Sequence, residues 1–173
     1  MAQAYAIRLA RRDELGKLPI IEHAAAQRFR GTIYDDIPDD DPMPLTSLER
    51  WFTHGKIWVA VDQTDEPVGF AVAREMDGMA YLHEIDVEPK HGGQGLGARL
   101  IDEVTAWAQA CGYPAVTLST FAAIPWNAPY YERLGFRVLG QDELDLGLRE
   151  VRAHEAASGF TPEARVCMIR SVA

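Results

Sequence analysis

Between Ile85 and Leu100 the chain reads IDVEPKHGGQGLGARL. A strand-like run stops at Pro89, glycines stand at positions 92, 93, 95 and 97, and an apolar helical period begins at Leu96. A helix N-terminus carries N–H groups without intrahelical partners and a partial positive charge. Glycines let the main chain approach an anion with no Cβ in the way. The segment therefore predicts a cradle for a pyrophosphate, with Gly92, Gly93, Gln94, Gly95, Gly97 and Ala98 supplying main-chain contacts. No Lys-Ser or Lys-Thr follows the glycines, so this is not a P-loop. The spacing GxGxG after a run of hairpin-linked strands is not the dinucleotide fingerprint of a first βα turn either.

With Val87, Pro89, Gly93, Gln94, Gly95, Leu96 and Gly97 in place, the segment resembles the signature V-x-P-x-x-(R/Q)-G-x-G-(I/L)-G of the GNAT superfamily of N-acetyltransferases. Gly92 departs from it, standing where Arg or Gln is usual. The main-chain cradle survives that change, while a side-chain clamp is lost or passes to Lys90 or His91. A second resemblance follows in IPWNAPYYERLGF, residues 124–136, where Tyr131, Glu132, Arg133, Leu134, Gly135 and Phe136 match the family's Y-(E/K)-(R/K)-L-G-F helix. The likeness covers nearly the whole chain and is weakest over residues 1–55 and 140–163. It implies acetyl-CoA as co-substrate, no metal, and direct attack of a primary amine, on a small molecule or a peptide, upon the thioester. It also implies one domain over residues 1–173, an α/β fold with a mixed, mostly antiparallel sheet of six to seven strands, helices on both faces and splayed central strands. A homodimer follows only by analogy. The alternative is a non-catalytic acyl-CoA-binding module on the same fold.

Amine attack on a thioester expels a thiolate, and a positioned O–H can protonate it. The resemblance gives that role to Tyr131, which also borders the coenzyme, and leaves Tyr130 to packing. Asn127 has two readings, as N-cap of the short helix and, by resemblance, as a contact to the pantetheine arm. In AYLHEIDV, alternation puts Leu82, Glu84 and Asp86 on one face and His83, Ile85 and Val87 on the other. A carboxylate in a central strand is expensive unless partnered or lining a cleft. The family's acidic position falls on Glu84, the expected base, with His83 and Asp86 as alternatives. The resemblance sets Ile85 and Val87 against the coenzyme, with a backbone N–H of Val87 or its neighbour meeting the oxyanion.

The elements that must position these residues follow from hydrophobic period. YAIRLA reads as a strand, and residues 13–30 as a helix that Pro19 kinks or starts. Thr46 and Glu49 suggest a capping box for a short helix. KIWVAV, PVGFAVARE and AYLHEIDV form an antiparallel meander. A helix from Leu96 to about Cys111 stops at Gly112. AVTLST is a strand, Asn127 opens a helix that ends at Gly135, FRVL is a strand, residues 142–157 are helical, and ARVCMIRSV closes the sheet.

The 173 residues are 47% hydrophobic and 25% charged, with 17 basic against 26 acidic side chains, a net charge of −9. That balance disfavours nucleic acid and anionic membrane surfaces as partners. No apolar stretch approaches the ~20 residues of a membrane span, and we expect a cytoplasmic protein. Cys111 and Cys167 lie outside any CxxC pattern and are expected as small buried hydrophobes. His23, His54 and His154 show no ligand spacing, and there is no G-x-S-x-G elbow. The acidic run DDIPDDD is expected to be a solvated loop, with the rim of a cleft for a cationic amine as its other reading.

Overall fold

The structure, a computed structural model, describes residues 4–172. They fall into two compact units, one running to Arg74 and including Glu84–Glu103, the other holding Glu75–His83 and the residues from Val104 onward. In the first, β1 (Ala6–Leu9) is followed by a 3-10 turn (Arg12–Lys17), α1 (Leu18–Ala26), α2 (Leu45–His54), β2 (Lys56–Val61) and β3 (Pro67–Met76). β1 and β2 pair antiparallel with Ala6 opposite Val61, and β2 and β3 pair antiparallel with Lys56 opposite Ala73. Strand alternation puts Ile57, Val59 and Val61 beside Phe70 and Val72, packed on Leu18 and Ile21 of α1 and Leu48 of α2. Trp58 and Ala60, on the other face of β2, are equally buried, so this part of the sheet is covered on both sides. Each such large apolar side chain stabilises by roughly 1.5–3 kcal/mol on burial.

β4 (Met79–Val87) and α3 (Leu96–Ala110) each begin in one unit and end in the other. The second unit adds β5 (Ala115–Phe121), α4 (Ala128–Arg133), β6 (Arg137–Val138), α5 (Leu146–Ala157) and β7 (Arg165–Ser171). The β3–β4 turn has two central residues, Asp77 at φ 54° and Gly78 at φ 76°. Two left-handed residues in a two-residue loop match the twist of a hairpin. β5 runs parallel to β4 for three pairs only, from Ala80–Val116 to Leu82–Leu118, while its antiparallel ladder with β7 continues to Phe121–Arg165. Neighbouring strands follow the order β1-β2-β3-β4-β5-β7-β6, a mixed seven-stranded sheet in an α/β fold, as expected.

Several local expectations change. The stretch read as one helix is a 3-10 turn, then α1, then a 3-10 turn at Gln27–Phe29, and Pro19 sits in the first turn of α1 as its start. The Thr46–Glu49 capping box does not form. Pro44 holds the N-cap position of α2, its carbonyl accepts from the Ser47 and Leu48 amides at 2.9 and 3.1 Å, and Glu49 instead pairs with Arg12. FRVL shrinks to Arg137–Val138, and the late helix starts only at Leu146. α3 ends on a Schellman motif: the Tyr113 amide reaches the Ala108 carbonyl (2.9 Å), the Gly112 amide reaches Gln109 (3.0 Å), and Gly112 has φ 74°. That ending leaves Cys111 past the last turn and exposed, contrary to expectation. Cys167 is buried as expected, and burial pushes its thiol up to about 11.

The start of α5 is fixed to the β3–β4 turn. The Gly147 amide donates to Asp77 Oδ2 at 2.7 Å. A Cβ at Gly147 would lie 2.5 Å from Met76 Cγ, 2.6 Å from its Sδ and 2.7 Å from Asp77 Oδ2. Met76 belongs to the cluster with Tyr81, Leu144, Leu148 and Cys167. Gly147→Ala is therefore expected to destabilise the protein by about 1–3 kcal/mol through overpacking. Urea unfolding, compared with Gly159→Ala as a site with no neighbour within 4 Å, measures it.

Candidate active site

In the first unit the Glu88 amide ties the end of β4 to the Val68 carbonyl at 2.9 Å. Pro89–His91 then form a 3-10 turn, closed by the His91 amide on Glu88 (2.9 Å) and the Gly92 amide on Pro89 (3.0 Å). The next amide to reach a main-chain carbonyl is that of Arg99, on Gly95 at 3.1 Å. Among the described residues the amides of Gly93, Gln94, Gly95, Leu96, Gly97 and Ala98 have no such partner. Gly93 (φ 72°) and Gly95 (φ 70°) are left-handed, and a Cβ built on either meets nothing within 4 Å. The loop is thus open, exposed and lined with donors at the head of a fifteen-residue helix. These are the properties a pyrophosphate requires.

One expected member contributes less. The Gly92 amide is already occupied by Pro89 and brings no free donor. Neither candidate clamp takes the missing Arg or Gln's place. His91 is buried against Tyr5, and exposed Lys90 pairs with Glu88 at 2.9 Å.

Further back on β4, Glu84 and Asp86 share a face and a hydrogen bond. Burial lifts the Asp86 carboxyl well above the ordinary range, and the charges of Glu84 and Glu22 push the same way. Its Oδ2 is buried without a hydrogen-bond partner. Glu22 reaches this group from α1. Burial raises its carboxyl as well, against the opposing pull of the Met43 amide, which donates to Oε2 at 2.8 Å. Glu84 is thus found beside a carboxyl raised well above its ordinary range, and His83, the other alternative, is exposed. The period of α1 did not single out Glu22. A lone charge inside the apolar run LPIIEHAAA was the signal available.

In the second unit Tyr131 is buried on α4, edge-to-face with Tyr130 at 5.6 Å and with Phe136 at 5.7 Å. Its amide bonds to the Asn127 carbonyl at 3.0 Å. The Gly135 turn, at φ 88°, returns the Phe136 amide to the Tyr131 carbonyl at 3.0 Å. Asn127 occupies the N-cap position but does not cap. Its Nδ2 donates to Thr120 Oγ1 on β5 at 3.0 Å, and its buried Oδ1 accepts nothing. That orphan acceptor suits an N–H on a ligand. Thr120, the residue that turns Asn127 this way, carried no sequence signal beyond strand alternation.

The acidic loop is largely self-paired. Asp39 pairs with Arg30, which also donates to the Asp35 carbonyl at 2.8 Å, and Asp35 Oδ1 accepts the Gly31 amide at 2.5 Å. No group of three or more potential ligands for a metal ion occurs among the described residues.

Comparison with known proteins places this arrangement. The model of the Acetyltransferase (GNAT) family matches residues 21–136. The chain is 31% identical over 89 residues to peptidyl-lysine N-acetyltransferase YjaB of Salmonella typhimurium. That alignment covers 51% of this chain and 55% of the relative, so the chain spans about half the length of the curated relative it matches. Among solved structures, a GNAT-family acetyltransferase of Staphylococcus aureus superposes with a TM-score of 0.73 at 20% identity, covering 98% of this chain and 100% of that one. The PaiA N-acetyltransferase of Thermoplasma acidophilum, in complex with coenzyme A, gives 0.72 at 14% identity, covering 97% and 99%.

The raised Asp86 carboxyl carries a sign. The unfolded chain releases this proton near the ordinary Asp value while the folded chain keeps it, so stability falls as pH rises from that value toward the folded one. Asn reproduces the neutral form. Asp86→Asn is therefore expected to raise the melting temperature at pH 8, with the gain shrinking toward pH 4. Differential scanning calorimetry across that range checks it, and a variant less stable than wild type at pH 8 would sink the assignment.

Proposed function

This chain belongs to the acetyltransferase (GNAT) family, and we propose that it moves an acetyl group from acetyl-CoA onto a primary amine, free or on a peptide, by direct attack. The observation that carries the reading is the run of open amides from Gly93 to Ala98 at the head of α3. A diphosphate satisfies several of these donors at once, and the helix end favours its charge. Residues 1–173 act together as one catalytic domain in this reading, in the cytoplasm.

The remaining roles follow from chemistry. Asn127 Oδ1 accepts an N–H from the pantetheine arm. Glu84 takes a proton from the ammonium form of the acceptor, directly or through water. The freed nitrogen attacks the thioester carbon, and a β4 amide at Ile85 or Val87 donates to the oxyanion. The C–S bond then breaks, the amine nitrogen gives up its extra proton to solvent, and Tyr131 donates its phenolic proton to the thiolate. A phenol near pKa ~10 is protonated at neutral pH and can serve. In this reading an ionised Glu84 beside the raised Asp86 carboxyl favours an acceptor arriving as a cation. A peptide lysine, the acceptor in the name of the Salmonella relative, meets that requirement, as does a small alkylamine.

The test is thiol release from acetyl-CoA with a panel of amines and lysine peptides. Wild type is expected to turn over at least one of them, and Tyr131→Phe to lower kcat by about 10²-fold, the lower end for loss of a general acid. Glu84→Gln is expected to lower kcat most at low pH, where more of the amine needs deprotonation. Acetyl-CoA at about a hundred times its Kd should stabilise the wild type by about 2.7 kcal/mol, and Gly95→Arg should abolish that shift. Coenzyme binding without turnover on any acceptor would assign the protein to acyl-CoA sensing instead.

A further inference from the structure

Tyr5, just ahead of β1, is joined to both ends of the glycine loop. Its phenol oxygen lies 2.8 Å from His91 Nδ1, with the two rings edge-to-face at 5.7 Å. Its carbonyl oxygen accepts a hydrogen bond from Arg99 Nη2 at 3.0 Å. His91 closes the turn that leads into the loop, and Arg99 stands in the first turn of the helix that leaves it. One residue, 86 positions from the first partner and 94 from the second, thus bridges the borders of Gly92–Ala98.

The chemistry of the bridge is specific. His91 is 8% exposed, and a buried ring nitrogen without a partner is costly. The phenol is hydrogen-bonded to Nδ1, and Nε2 faces the Glu88 carboxylate at 3.6 Å. Glu88 is held in turn through its amide by Val68 of β3. Beside this chain of contacts the start of β1 and the first turns of α3 border an open cleft of about 430 Å³, lined by Tyr5, Ala6, Ile7, Arg99, Asp102 and Glu103. A glycine-rich segment has more backbone freedom to lose than any other, so fixing its borders removes much of the ordering that an anion would otherwise have to impose.

We infer that Tyr5 is a positioning residue for the coenzyme: it fastens both borders of the pyrophosphate loop and keeps its open amides converged before the ligand arrives. The inference rests on reading Gly93–Ala98 as the cradle. Tyr5→Phe removes the hydroxyl and keeps the ring, and exposed Arg99→Ala releases the other border without disturbing the core. Calorimetric titration of coenzyme A into the full chain is expected to show each variant binding about fivefold more weakly, with the melting temperature of the free protein within about 2 °C of wild type for Arg99→Ala and a few degrees lower for Tyr5→Phe, which leaves a buried ring nitrogen unpaired. Hydrogen exchange should quicken at the bonded amides of Gly92 and Arg99 and not in β2 or β7. Wild type binding coenzyme A with both variants unchanged overturns the inference and leaves the cradle standing. Wild type that binds no coenzyme A overturns the cradle itself.

Discussion

Six consecutive amides without main-chain partners among the described residues are the constraint around which this site is organised. Main-chain donors normally find acceptors, and the exceptions call for a reason. Here two left-handed glycines turn the chain into α3, whose first amides lack intrahelical acceptors. Everything near the loop serves to keep it in that state. Pro89 and the 3-10 turn stop β4 on one side, the Arg99 amide starts the helical ladder on the other, and Leu96, Leu100 and Ile101 anchor the helix in the core. Rigid surroundings let an unsatisfied segment persist without collapsing onto itself.

A second unsatisfied feature has the same logic at a different place. Asn127 turns away from the helix it heads, gives its amide N–H to Thr120, and leaves a buried carbonyl oxygen without a donor. Asp86 completes the set: an acid in a strand, its carboxyl raised by burial and by two other carboxylates close by. Each departs from what stability alone would select, and natural proteins concentrate such departures where they bind or react.

The strands of the meander were largely legible because β2, β3 and β4 are apolar runs punctuated by turn residues, and because Asp77–Gly78 can do little else than turn a hairpin. The glycine loop and the α4 motif were legible because their residue types are dictated by backbone conformation, which sequence records well. What escaped depends on partners distant in sequence. Glu22 matters through Asp86, 64 positions away; Thr120 matters through Asn127; and Arg12 draws Glu49 out of the capping box that local spacing suggested. Cys111 escaped for another reason. A helix that stops one residue sooner leaves its neighbour outside, and a boundary shift of that size is the least readable feature of a periodic pattern.

The turn of Asn127 has one more consequence. A helix of six residues is far too short to hold together alone in water, and this one has forgone the end group that commonly contributes about 1 kcal/mol. Its persistence rests on distant support: Arg170 of β7 donates to the Leu134 carbonyl at 3.0 Å and lies over Phe136 at 5.0 Å, while the same guanidinium bonds to Thr105 of α3. The order of the segment that carries Tyr131 therefore depends in part on β7. Loosening of β7, remote in sequence from α4, would be felt around the Tyr131 phenol.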